Sequence, residues 1–100
     1  MIKQLAAVRY SKAYFSHCRN KTSLKDVVIE SEKIIEIISS NPDLQNTLKN
    51  KIVPNQTKKK ILLNTFGNIS VSLKNLIEML LRKNRLYLFD DILNQFIELY

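Results

Sequence analysis

The stretch LKDVVIESEKIIEIIS, residues 24 to 39, decides the fold. Its β-branched content is high, above all in IIEIIS at 34 to 39, so a strand has to be weighed against a helix. Leu24, Val27, Val28, Ser31, Ile34, Ile35 and Ile38 recur at steps of three and four, the pattern of a helix with one buried stripe. The charges of Glu30, Glu32, Lys33 and Glu36 fall together on the other face. The stretch therefore reads as a helix, with Ser23 placed to cap it and Asp26 three residues further on.

Helical spacing continues on both sides. Residues 4 to 19 form a preceding helix, and Asn20-Lys21-Thr22 a connector. Asn41-Pro42 starts a short third helix, about 42 to 50, with an Asn cap and Pro at the first helical position, where its missing N–H is not needed. After Val53-Pro54, a fourth helix at 55 to 67 offers Ile61, Leu62 and Phe66 to the core and stops at Gly67. Ser70 or Ser72 opens a fifth, 71 to 83, and Asn84 ends it, since Asn tolerates the left-handed conformation of a helix terminus. A sixth runs from 86 to the end, burying Leu86, Phe89, Ile92, Leu93, Phe96 and Ile97. The expectation is an all-α, compact six-helix bundle forming one domain over residues 1 to 100.

Composition agrees. One Gly and two Pro in 100 residues are too few for the reversals of a sheet protein, and 45% hydrophobic residues suit one core. No apolar run reaches the ~18 residues of a membrane span, and the charged start MIKQLAAVRY contains neither a signal core nor an Arg-rich transit segment. A soluble chain in a reduced compartment is expected. The single cysteine, Cys18, excludes an internal disulfide framework, and with His17 it supplies two ligands where a structural zinc wants four. No Gly-rich phosphate loop is present, and His17 has no evident catalytic partner beyond Cys18. Asp90 and Asp91 diverge as helix neighbours and serve the positive end of the sixth helix. No enzyme, cofactor or metal is expected.

Two helices are too apolar for a single buried stripe. In VRYSKAYFSHC, residues 8 to 18, Arg9, Lys12 and Ser16 share a polar arc, while Ala6, Ala7, Val8, Tyr10, Ala13, Tyr14, Phe15 and Cys18 fill the rest. In the fifth helix Lys74, Asn75, Glu78 and Arg82 share one side, and Leu73, Leu76, Ile77, Met79, Leu80 and Leu81 cover the remainder. Each needs two apolar neighbours. Either the domain's own helices cover both sides, or part of each face lines a groove for an amphipathic helix of another protein. Tyr at half-wet positions and the adaptable Met79 favour the groove.

RYSKAYF (9 to 15), SNPDLQNTL (40 to 48), VPNQTKKKILLNTF (53 to 66), NLIEMLLRKNRL (75 to 86) and DDILNQFIELY (90 to 100) resemble, in order and spacing, the N-terminal domain of the delta subunit of F-type ATP synthase. The mitochondrial counterpart is the oligomycin sensitivity-conferring protein. The resemblance implies a non-catalytic six-helix bundle on top of the catalytic head, holding the N-terminal helix of the alpha subunit between its first and fifth helices. The groove residues it implies are Tyr10, Ala13 and Tyr14 with Leu76, Met79, Leu80 and Lys83. Asn84 stands where the family usually has Gly, and Ser11 where a small Ala is usual. The family's second domain, which binds the b subunit of the peripheral stalk, is missing from a chain that ends at Tyr100, so stalk binding is not expected of these residues. With no presequence, the expected location is the cytoplasmic face of a bacterial inner membrane, peripheral and without insertion.

The net charge of +7 raises an alternative, a small basic helical RNA- or DNA-binding module. Much of the excess sits in Lys49, Lys51, Lys58, Lys59 and Lys60, without interleaved aromatics to stack on bases, and a solvated face is the simpler account. No nucleic acid partner is expected.

Overall fold

A computed structural model of the chain describes residues 5–21 and 23–100. Six α-helices follow one another: α1 Leu5–Lys21, α2 Leu24–Ser39, α3 Pro42–Lys49, α4 Asn55–Phe66, α5 Val71–Arg82 and α6 Phe89–Leu99, the last entered through a 3-10 turn at Leu86–Leu88. No strand occurs among the described residues, and the β-branched 34–39 segment is helical. The predicted start of α1 at residue 4 lies outside the described residues, as does Thr22 of the predicted connector. Asn20 and Lys21 extend α1 instead of linking it.

The helix ends show how local chemistry sets the boundaries. Asn41 Oδ1 accepts from Leu44 N–H at 3.1 Å, capping α3 with Pro42 in its first turn. Ser70 Oγ accepts from Leu73 N–H at 3.1 Å and caps α5. Ser23 occupies the cap position of α2 with extended backbone angles, yet its hydroxyl makes no cap hydrogen bond; it contributes its carbonyl, which accepts from Val27 N–H at 3.2 Å. At the end of α5, Asn84 is left-handed (φ 56°), Arg85 N–H donates to Leu80 O at 2.8 Å and Asn84 N–H to Leu81 O at 3.1 Å. That paired pattern is a Schellman motif with Asn in the place of Gly. The sixth helix starts three residues later than its spacing predicts, because the tighter turn, closed by Leu88 N–H to Arg85 O at 3.0 Å, lets Leu86, Leu88 and Phe89 all face inward.

Buried side chains form one continuous cluster with α6 at its centre, packed against both α1 and α2. Phe89, Ile92, Leu93 and Phe96 of α6 expose nothing. The Phe96 ring meets Tyr14 at 5.2 Å and Phe15 at 5.5 Å between centroids, both tilted, a favoured aromatic arrangement. α4 packs on α5, and α3 on the 3-10 turn. α1 and α5 both contribute to this core but are not themselves a closely packed pair among the described residues, and a trough runs between them.

Candidate functional site

Two rows of side chains face each other across the trough. α1 supplies Tyr10, Ala13, Tyr14 and His17; α5 supplies Ser72, Asn75, Leu76 and Met79. Each row follows the i, i+3, i+4, i+7 spacing of one helix face. Tyr10 meets Arg85 just past the end of α5, so the rows run antiparallel, and they enclose a free volume of about 220 Å³ whose surface is overwhelmingly apolar. Tyr14 and Leu76, each 5% exposed, form the floor, and Tyr10 and Met79 are half-buried walls. Ala13 is exposed, and its small side chain keeps the middle of the trough open.

The Tyr10 end is basic. A neighbouring hollow, lined by Arg9, Tyr10, Ala13, Lys83 and Arg85, continues the trough past the C-terminus of α5. Arg85 Nη1 donates to the Tyr10 hydroxyl at 3.3 Å, and the guanidinium lies 5.8 Å from the Tyr10 ring centroid. The site is thus an apolar channel with three cations at one mouth, suited to an amphipathic helix with acidic residues at the matching end.

Of the residues expected from the sequence, Tyr10, Ala13, Tyr14, Leu76 and Met79 share this trough, and Lys83 lines the basic hollow beside it. Leu80 does not reach either: it is fully enclosed. Four residues advance a helix by about 40° beyond a full turn, and from the nearly buried floor position of Leu76 that step carries Leu80 into the core. His17, Ser72 and Asn75 line the trough although the sequence reading does not include them. Extending each row by its own spacing reaches all three, even though Asn75 reads from the sequence as part of the polar side. Most of the surplus apolar face is consumed by the domain itself, since Tyr14 and Cys18 are buried and Phe15 packs on Phe96.

Burial keeps the titratable groups at and beneath the floor of the trough protonated. Burial pushes the Tyr14 hydroxyl far above the usual tyrosine range, with the nearby Cys18 thiol and Glu30 carboxylate adding to the effect. Burial likewise pushes up the Cys18 thiol, which favours the unreactive protonated form. Among the described residues no cluster of His, Cys, Asp or Glu could hold a metal ion.

Fold and site define a six-helix bundle with an apolar trough between its first and fifth helices. The chain belongs to the ATP synthase delta (OSCP) subunit family, whose model matches residues 6–100. ATP synthase subunit delta of Prochlorococcus marinus strain MIT 9312 is 28% identical over 92 residues, spanning 91% of this chain and 51% of that protein. The subunit delta of Lactobacillus gasseri is 30% identical over 94 residues, 94% of this chain and 52% of its own. That of Christiangramia forsetii is 30% identical over 92 residues, 92% of this chain and 50% of its own. The chain spans about half the length of the curated relatives it matches.

Proposed function

We propose that this domain is a non-catalytic stator element of an F-type ATP synthase, and that its trough grips the N-terminal amphipathic helix of an alpha subunit. The single observation behind this reading is the pair of facing i, i+3, i+4, i+7 rows over an apolar floor. A stator must keep the catalytic head from turning with the rotor, which demands a large contact that dissociates slowly and no chemistry. Stable associations bury on the order of 1,200–2,000 Å² in total, so the partner helix would extend past the eight lining residues onto the basic hollow and the rims of the trough. Aromatic anchors such as Tyr10 would concentrate the binding energy. The contact to the peripheral stalk b subunit falls to the second domain that the resemblance implies, outside residues 6–100. No helix among the described residues is long and apolar enough to cross a membrane, and the proposed location is peripheral, on the cytoplasmic side of a bacterial inner membrane.

The test is a titration with a peptide copied from the N-terminus of the same organism's alpha subunit, followed by backbone amide shifts. Shifts concentrated in α1 and α5 are expected, with binding that persists as salt rises, because apolar burial dominates. Nucleic acid binding, by contrast, would weaken steeply with salt. Tyr10→Asp or Met79→Asp should weaken the peptide about tenfold or more while circular dichroism stays helical. Shifts spread elsewhere, or none, would overturn the reading.

A further inference from the structure

A second concave site lies where α3, α4 and the end of α5 meet, on a cleft of about 500 Å³. It is lined by Lys49, Lys51, Lys58, Lys83 and Arg85, with Tyr87 at one side, and no carboxylate lines it. Lys58 is the unusual member. It is 8% exposed, the only charged side chain buried to that degree among the described residues, and no hydrogen bond or ion pair among them holds its ammonium there. Lys58 buries its stem while lining the cleft alongside four other cations. Charges of one sign gathered around one concave cleft attract a counter-ion of the opposite sign. One carboxylate, Asp91 of α6, acts on Lys49, and it does so from outside the lining.

We infer that this cleft binds a small multivalent phosphate-bearing anion. A phosphate group offers several strong acceptor oxygens, matching the point charges of lysine and the forked donors of Arg85. The volume is ample for a pyrophosphate-sized group with its hydration, and it lies within the range of small-molecule sites. The anion offsets the crowding of like charge and supplies Lys58 with the counter-charge that the fold does not. Lys49, Lys51 and Lys58 lie outside the trough, whereas Lys83 and Arg85 line both this cleft and the basic mouth of the trough.

The probe is inorganic pyrophosphate, titrated into the folded chain with sodium chloride at matched ionic strength as control. Saturable amide shifts confined to residues 48–58 and 81–87 are expected, with at least about tenfold weaker binding in Lys58→Met, the loss typical of a charged hydrogen-bond partner. If circular dichroism shows that Lys58→Met does not fold, Lys51→Gln at the cleft mouth takes its place, with a severalfold loss expected. Sedimentation with phosphatidylcholine vesicles, with and without phosphatidate, separates the sources. Retention on phosphatidate that pyrophosphate competes away assigns the phosphate to a lipid headgroup, and pyrophosphate shifts without retention assign it to a soluble ligand. Absence of saturable shifts, equal shifts with chloride, or unchanged affinity in the folded variant would overturn the assignment.

Discussion

Tyr14 serves two surfaces with one ring: its edge and face complete the core against Phe96, and its outer side floors the trough. Its hydroxyl is buried and makes no hydrogen bond of full geometry among the described residues, although the Cys18 thiol and Ser70 hydroxyl lie close enough to act on it. An unpaired buried hydroxyl is a net cost, so Tyr14→Phe should leave stability at pH 7 unchanged or raise it by up to about 1 kcal/mol, and should spare peptide binding, which uses the ring. The ionisation gives a sharper signature. Because the folded-state pKa is raised, the contribution is fully present below the unfolded value near 10. Above that pH the unfolded chain releases a proton that the folded chain keeps, so stability falls by about 1.4 kcal/mol per pH unit from this group. Urea unfolding from pH 9 to 11 should show a shallower decline in Tyr14→Phe than in the parent, and parallel declines would refute the assignment. The phenolic anchor itself is legible from the helical row that begins at Tyr10. The stranded hydroxyl is not, because nothing in the chain around residue 14 says which groups the fold will bring to it.

Between elements, one carboxylate ties α2 to α5. Glu30 accepts from Ser70 N–H at 2.8 Å and from Ser70 Oγ–H at 2.7 Å, while Ser70 Oγ accepts from Leu73 N–H. The negative charge sits at the N-terminal end of α5, where the helix dipole favours it. Sequence spacing assigns Glu30 to the solvated face with Glu32, Lys33 and Glu36, but the structure half-buries it against a partner 40 residues away. Caps such as Asn41 and Asn84 are readable because their partners are within a few residues. Glu30 is not, since a cap delivered from another helix leaves no local mark. Glu30→Gln should cost about 1.5–3 kcal/mol, the usual worth of charged hydrogen bonds, and hydrogen exchange should quicken first at the start of α5. A loss spread evenly over all six helices would mean that Glu30 acts through general packing instead.

Across the whole molecule, the division between core and trough runs through single helices, and adjacent positions on α5 fall on opposite sides of it. Met79 is half-buried at the trough wall, whereas Leu80 exposes nothing. Five of the seven groove residues that the family resemblance implies line the trough and Leu80 does not, because a 3.6-residue repeat shows only that a face is wide, and packing sets where its boundary falls. The pair therefore tests the architecture without reference to any one hydrogen bond. Leu80→Ala should open a cavity and cost about 2–5 kcal/mol of stability, but at a temperature where it stays folded it should bind the alpha-subunit peptide within about threefold of the parent. Met79→Ala removes side-chain atoms that already face the opening and should cost less than about 1 kcal/mol, while weakening the peptide about tenfold as a wall contact is lost. Thermal unfolding and peptide titration on both variants give four numbers whose pattern is crossed. If both substitutions instead lower stability and affinity in proportion, binding is reporting only on folding, and the trough between α1 and α5 is a seam of the bundle and not a seat for a partner helix.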